Sequence, residues 1–122
     1  LKILSGPSIE CPKKVGSLRQ YVLDLLHHLS GYPRVSVVVP NYNYQRYLEE
    51  RIQSVAQQTF PVYEMILLDD CSTDGSVQVI KELARTIDVD TTVVVNQTNS
   101  GSVFKQWRKG VDVLVHSPSA IP

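Results

Sequence analysis

The chain has 122 residues, 43% of them hydrophobic, and its 12 basic and 12 acidic residues give a net charge of zero. This length suits one domain with a hydrophobic core. The basic residues are scattered, whereas a nucleic-acid-binding surface would concentrate them in a stripe. No apolar run reaches the roughly eighteen residues that would span a bilayer. Cys11 and Cys71 lack metal-ligand spacing, so we interpret both as free thiols.

The first third of the chain predicts a linker followed by one helix. Residues 1–16 contain two glycines and two prolines without apolar periodicity, which indicates a loop or linker. Ser17 can cap a helix that Gly31 and Pro33 end. Its apolar residues recur at helical spacing, at Leu18, Tyr21, Val22, Leu25, Leu26 and Leu29. We expect this face to pack on the following domain or on sequence outside the chain.

The rest of the chain alternates strands with helices. Strands are predicted at 34–39, where Pro40 stops the first, at 63–68 and at 92–95. Three helices are predicted. The first covers 44–57, the second begins after a cap at Ser72 or Thr73, and the third covers 102–115. Such alternation predicts an α/β fold, with three α/β/α layers and a mainly parallel sheet. We therefore divide the chain into a linker and helix, 1–33, and one α/β unit, 34–122.

Two of these strands change abruptly from apolar to polar residues at their carboxyl ends. Asn41, Tyr42 and Asn43 follow the first, and Asp69 and Asp70 follow the second. In α/β proteins, ligands bind in the crevice at this edge of the sheet. The first turn has neither the glycines of a dinucleotide site nor a Gly-Lys-Ser/Thr phosphate loop. The Tyr42 ring could stack on a base, and a carboxylate of Asp69 or Asp70 could accept a hydrogen bond from a base or a ribose. These residues predict a nucleoside site instead.

Four motifs in order resemble the N-terminal half of a family 2 glycosyltransferase of the GT-A fold. They are the segment from Val35 to Asn43, the run Ser54-Val-Ala-Gln-Gln-Thr-Phe60, the acidic segment from Leu68 to Gly75, and Asn99-Ser-Gly101. Together they cover roughly residues 34 to 113. The resemblance implies that this half binds the nucleotide of a sugar-nucleotide donor.

The resemblance also implies roles for individual residues. Pro40 and Tyr42 would line the base pocket, with the Tyr42 ring against the base. Asp70 would accept a hydrogen bond from the base, typically from uracil N3–H, and Asn43 would brace the loop. The last two candidates lie after the third strand: Gly101 would let the chain approach the donor, and Lys105 would contact its phosphates.

By the same resemblance, the full-length enzyme would use a divalent cation, Mn²⁺ or Mg²⁺, held by an Asp-x-Asp motif after a further strand. We expect that motif and the catalytic base to lie beyond this chain, whose non-Met start and abrupt end suggest a piece of a longer protein. Asp88 and Asp90 spell the same motif, but before the third strand, at the wrong edge of the sheet. We therefore expect no metal on this chain, only weak nucleotide binding and no activity of the chain alone.

The resemblance further implies a nucleotide-sugar donor, a saccharide acceptor and a cytoplasmic location, at the inner membrane face for the full-length protein. A sheet left incomplete would expose an unpaired edge, so we also expect self-association there. Two alternatives differ in class. A phospho-receiver domain would need an aspartate where the third strand ends in Val95 and Asn96. A non-catalytic nucleotide-binding or scaffold domain derived from a transferase stays open.

Overall fold

The structure, a computed structural model, describes residues 8–10 and 18–115. It contains four strands and four helices in these ranges. In chain order they are β1 (Ser8–Glu10), α1 (Leu18–Ser30), β2 (Ser36–Asn41), α2 (Gln45–Ala56), β3 (Glu64–Asp69), α3 (Ser76–Thr86), β4 (Asp90–Val95) and α4 (Val103–Val115).

The strands form one sheet in the order β1-β4-β3-β2. β2, β3 and β4 are parallel, and their ends are level, since Asn41 pairs with Asp69 and Asp69 pairs with Val95. β1 is antiparallel to β4. The fold is therefore α/β with a three-strand parallel sheet, as the sequence predicted.

The two faces of the sheet are covered unequally. On one face, α2 and α3 close a large core in which Ile52, Met65 and Ile80 are at most 1% exposed. On the other face, α4 covers a smaller core of Ile66, Leu68 and Val94. Central β3 is buried along its whole length because both faces are covered. All three parallel strands thus bring their carboxyl ends to one edge between the two helical layers.

Gly110 allows α4 to approach the sheet closely. A Cβ atom at this position would lie 2.5 Å from Val38 Cγ1 and 3.2 Å from Leu68 Cδ1. The first distance is too short for a real contact and the second is tight, so a larger residue would push the helix or Val38 away. The glycine therefore sets the separation between α4 and the β2–β3 pair.

The prediction that Pro40 stops the first strand is wrong. β2 continues through Pro40 to Asn41, and Pro40 pairs in register with Leu68. Proline lacks a backbone N–H and is tolerated in an outer strand, which needs only one hydrogen-bonded side. β2 is the outer strand at its end of the described sheet. As a result, Asn41 belongs to the strand rather than to the turn.

The prediction of a continuous linker over residues 1–16 is wrong for residues 8–10, which form β1. A three-residue strand beside glycines and prolines has no apolar alternation long enough to detect. β1 also pairs with one edge of the parallel sheet, with Ser8 opposite Val95. In the described sheet, the outer strands are therefore β2 on one side and the short β1 on the other. The remaining residues of 1–17, including Cys11 and the predicted cap Ser17, lie outside the described residues.

Most of the apolar face of α1 does not pack on the following domain within the described residues, and its packing on sequence outside the chain stays a prediction. Leu23 is the buried residue of this helix, whereas Leu18 is 77% exposed and Leu29 is 79% exposed. Polar contacts attach α1 instead. Tyr63 Oη donates to Asp24 Oδ1 at 2.7 Å, Arg34 Nη1 lies 3.7 Å from the same oxygen, and Gln20 Nε2 donates to Asp90 Oδ2 at 2.9 Å. Within residues 8–10 and 18–115, no helix is long and apolar enough to cross a membrane.

Candidate functional site

The candidate site lies at the carboxyl edge of the parallel sheet, where three loops leave the strands. Backbone hydrogen bonds continue the strand pairing into these loops. Asp70 N donates to Asn41 O at 3.0 Å, and Asn96 N donates to Asp69 O at 2.8 Å. These bonds bring the segments after β2, β3 and β4 side by side, so the polar residues that follow them form one cluster.

Asp69 holds the turn between β3 and α3. Its carboxylate is fully buried and accepts from Asn41 Nδ2 at 2.9 Å, Ser72 N at 2.8 Å and Ser72 Oγ at 2.6 Å. Charge-assisted hydrogen bonds of this kind offset the cost of burying a carboxylate. Since its oxygens face inward onto protein donors, Asp69 acts as a structural brace of the crevice.

Asn43 connects the loops after β2 and β3. It adopts a left-handed backbone with φ 54, which asparagine tolerates better than most residues. Its Oδ1 accepts from Thr73 N at 2.8 Å, and its own N–H donates to Ser72 Oγ at 3.0 Å. The predicted helix cap at Ser72 or Thr73 is wrong, because α3 begins later, at Ser76. Ser72 and Thr73 bind these loops together instead.

Asp74 supplies the acceptor at the beginning of α3. Its Oδ1 accepts from Ser76 N at 2.9 Å, and its Oδ2 accepts from Gln45 N at 3.2 Å. The hydrogen bond from Ser76 is the largest cause that lowers the pKa of this carboxyl below its usual value. Asp74 therefore orients the first turns of both α2 and α3.

Asp70 holds the loop between β4 and α4. Its Oδ1 accepts from Asn96 Nδ2 at 2.8 Å and Ser100 N at 2.8 Å, while its Oδ2 accepts from Ser100 Oγ at 2.7 Å. Its backbone carbonyl accepts from Asn99 Nδ2 at 3.0 Å. An ionised carboxylate has about four lone-pair positions. Three are used here, which leaves one on Oδ2 for a further donor.

A second layer of polar side chains lies behind Asp70. Asn96 Nδ2 also donates to Gln106 Oε1 at 2.9 Å, and Lys109 Nζ donates to Asn96 Oδ1. Burial lowers the pKa of Lys109, while the negative charge of Asp70 acts in the opposite direction. Gln106 is 4% exposed, and its Nε2 has no hydrogen-bond partner among the described residues.

The other predicted site residues surround this cluster at different depths. Tyr42 is 44% exposed and directly follows Asn41, so its ring is available to stack on a ligand. Pro40 is half-buried in β2. Gly101 is exposed with φ +73, a backbone that favours glycine, and its N–H donates to Asn99 Oδ1 at 2.7 Å. Lys105 is exposed on the first turn of α4.

A surface depression of about 460 Å³ lies beside this cluster, on the side of α2 and α3. Neither Tyr42 nor Asp70 lines it. Its lining residues are Asn43, Gln45, Arg46, Glu49, Asp74 and Val79.

Among residues 8–10 and 18–115, no three or more His, Cys, Asp or Glu side chains are grouped so as to hold a metal ion. The oxygens of Asp69 and Asp70 already accept protein hydrogen bonds. Asp90 begins β4 opposite Glu64, so it lies at the amino edge of the sheet, away from the candidate site.

Sequence reasoning missed Asn96, Gln106 and Lys109. Nothing in a single polar residue after a strand, or in two polar residues on a helix, distinguishes these positions from solvated ones. Their spacing offers one signal, because Gln106 and Lys109 are three residues apart and so share a face of α4. On the same helix, Trp107 is 52% exposed and contacts Phe104 edge-on, with ring centroids 5.2 Å apart.

These features define an α/β domain with a cluster of polar residues, the candidate crevice, at the carboxyl ends of its parallel strands. The sequence matches Glycosyl transferase family 2 over residues 36–113. This segment includes the crevice and more than half of the chain. The chain therefore belongs to glycosyl transferase family 2.

Curated relatives agree with this assignment. The chain is 43% identical over 70 residues to the putative teichuronic acid biosynthesis glycosyltransferase TuaG of Bacillus subtilis strain 168, which covers 57% of this chain and 27% of that protein. It is 36% identical over 74 residues to the poly(ribitol-phosphate) beta-N-acetylglucosaminyltransferase TarS of Staphylococcus aureus strain Mu50, covering 59% and 13%. The chain thus spans less than a third of the length of either relative.

Solved structures show the same fold. The crystal structure of S. aureus TarS 1-349 in complex with UDP-GlcNAc superposes with a TM-score of 0.57 at 33% identity, over 70% of this chain and 24% of that one. A mannosyltransferase from Pyrobaculum calidifontis, in complex with GDP-Man and Mn2+, superposes with a TM-score of 0.57 at 22% identity, over 80% and 32%. The fold is that of GT-A glycosyltransferases.

Proposed function

We propose that this chain is the nucleotide-binding part of an enzyme that transfers a sugar from a UDP-linked donor to a saccharide or other acceptor. Family membership over residues 36–113 is the observation that carries the proposal. The exposed Tyr42 ring and the free lone pair of Asp70 support it, because they offer a stacking face and an edge acceptor. The donor is taken to be UDP-linked because a similar structure, that of TarS, contains UDP-GlcNAc.

In the proposed site, Tyr42 stacks on the base and Pro40 lines the same pocket. Asp70 accepts the base N3–H on the lone pair that Asn96 and Ser100 leave open. Asn43 keeps the loop after β2 in place through Thr73 and Ser72. In the proposal, Gly101 and Lys105, which lie where the chain turns into α4, meet the phosphates of the donor.

The whole enzyme would place a divalent cation on the donor diphosphate, where it would neutralise charge on the leaving group. The described residues do not offer that site, so this chain alone should bind nucleotide weakly and without dependence on metal. It should also show no transfer. Calorimetric titration with UDP, with and without Mn²⁺, measures both features. Tight binding that requires Mn²⁺ would contradict this division of the site.

Tyr42→Ala tests the stacking role. A stacked base contributes about 1–3 kcal/mol, so the variant should bind UDP several-fold to about a hundredfold more weakly. Tyr21→Ala is the matched control, because Tyr21 is an exposed tyrosine on α1, away from the crevice. If both variants bind UDP as the wild type does, Tyr42 does not stack on the base. If the wild-type chain binds no nucleotide, the donor-site proposal fails and a scaffold domain derived from a transferase becomes the better account.

We place the enzyme in cell-surface polysaccharide synthesis at the cytoplasmic side of the membrane. Support comes from the names of the relatives, which refer to teichuronic acid and poly(ribitol-phosphate). Incubating the full-length protein with UDP-GlcNAc and candidate saccharide acceptors, and measuring UDP release, tests the acceptor class. Release that does not depend on a saccharide acceptor would contradict it.

Self-association through β2 completes the proposal. β2 is the outer strand on its side of the described sheet, and neighbouring Val35 is 37% exposed. An outer strand with free backbone groups can pair with a second chain. Sedimentation velocity over a range of protein concentrations measures this association, and a monomer at every concentration would refute it.

A further inference from the structure

We infer that Lys109 is a positioning residue for nucleotide recognition, acting through Asn96 to fix the carboxylate of Asp70. The inference rests on the proposed role of Asp70 as acceptor for the base N3–H. It adds two residues, one of them charged, that do not touch the ligand in that proposal. The geometry that carries it is the chain of hydrogen bonds from Lys109 through Asn96 to Asp70.

The charges of Lys109 and Asp70 determine how the Asn96 amide between them is oriented. A lysine ammonium can only donate hydrogen bonds, and an ionised carboxylate can only accept them. Asn96 between them must therefore turn its carbonyl oxygen to Lys109 and its amide nitrogen to Asp70. With Lys109 present, the opposite orientation of the Asn96 side chain would place oxygen against carboxylate oxygen and NH₂ against ammonium. Lys109 thereby fixes which atoms Asp70 meets.

Asp70 and Asn96 depend on the hydrogen bond between them because both side chains are buried. Asp70 is 6% exposed and Asn96 is 7% exposed, so water cannot readily replace a lost partner. The charges of Lys109 and Asp70 attract each other, and both polarise the Asn96 amide between them in the same direction.

The consequence concerns the one lone pair of Asp70 that stays open. Asn96 and Ser100 occupy Oδ1, and Ser100 Oγ occupies one position on Oδ2. A change in the Asn96 orientation would rotate or shift the carboxylate and with it the remaining acceptor position. Base recognition by Asp70 should therefore depend on Lys109, although Lys109 itself lies on α4.

A comparison of UDP with N3-methyl-UDP tests this role, because the methylated base has no N3–H to donate to Asp70. Lys109→Met should weaken UDP binding by about threefold to tenfold, the range of one ordinary hydrogen bond. It should change N3-methyl-UDP binding less than twofold. Lys109→Arg keeps the charge and the donors, so it should restore most of the preference for UDP. Arg108→Met, an exposed neighbour on the same helix, is the matched control and should change neither affinity.

The outcomes distinguish failure of the Lys109 role from failure of base recognition by Asp70. If Lys109→Met weakens both nucleotides equally, the residue has a general structural role and the positioning role is wrong. If it changes neither affinity, the role is also wrong. If the wild type does not distinguish UDP from N3-methyl-UDP, recognition of the base edge by Asp70 fails, and this inference fails with it. Should Lys109→Met not fold, as judged by circular dichroism, neutral Lys109→Gln carries the same comparison.

Discussion

Helices α1 and α2 both carry apolar residues at helical spacing, yet they are held by different forces. On α2, Leu48 and Ile52 are at most 1% exposed and form part of the main core. On α1, the apolar row is exposed, and the described contacts to the sheet are mostly polar. An apolar pattern therefore indicates that a helix forms and which face could be buried. It does not indicate what, if anything, covers that face.

The largest difference between these helices should appear on truncating one side chain in each. Ile52→Ala removes a fully buried side chain and should lower the free energy of unfolding by about 2–5 kcal/mol. Leu25→Ala on α1 removes one that is 41% exposed and should cost less than about 0.5 kcal/mol. Urea denaturation of the two variants measures both values. A cost for Leu25→Ala close to that of Ile52→Ala would mean that the α1 face is covered in solution.

Helix α4 combines the two situations, since one face packs on the sheet and the other exposes Phe104 and Trp107. Gly110→Ala places a methyl group 2.5 Å from Val38 Cγ1 and should destabilise the protein by about 1–3 kcal/mol. Val38→Ala removes the opposing methyl groups. The double variant should therefore lose less stability than the two single variants together. Additive losses in urea denaturation would show that α4 does not rest on Val38.

A smaller loss of stability than for Ile52→Ala or Gly110→Ala should follow from removing a polar contact that attaches α1. Burial is the largest cause that raises the pKa of Tyr63 to about 12, followed by the neighbouring Asp24. The folded state thus favours the neutral phenol, so this stabilisation is complete below pH 10 and is lost as pH rises from about 10 to 12. Tyr63→Phe should lose about 1 kcal/mol at neutral pH, because Asp24 can turn to water.

Thermal denaturation of Tyr63→Phe and the wild type between pH 8 and pH 12 measures this effect. The wild type should lose stability more steeply above pH 10, so the two curves should converge. Parallel curves over that range would show that the Tyr63 hydroxyl titrates alike in the folded and unfolded protein. The polar attachment would then contribute nothing that depends on pH.

The sequence allowed the alternation of strands and helices, the parallel sheet and the crevice edge to be predicted, because each depends on local periodicity. β1 was missed because three residues carry no period. Pro40 was misplaced because the rule about proline depends on whether a strand is central or outer, which is a property of the whole sheet. The exposed face of α1 could not be foreseen from its own residues.

The candidate site divides in the same way. Tyr42, Asn43 and Asp70 follow apolar strands, so the sequence predicted their place at the crevice. The contacts behind Asp70 could not be predicted, since Asn96 meets Asp70 only after β4 pairs with β3, and Lys109 meets Asn96 only after α4 packs on the sheet. Whether these residues bind a nucleotide stays a prediction until the titrations are done.

The short strand β1 bears on the order in which this chain can acquire its structure during synthesis. Ser8 pairs with Val95, so nearly the entire described chain must emerge before this outermost pairing can form. The β2–β3 and β3–β4 pairs join segments much closer in sequence, and loop closure favours contacts between such segments. Of the four described strands, β1 should therefore leave the ribosome first and join the sheet last, and until then the β4 edge remains open to other chains.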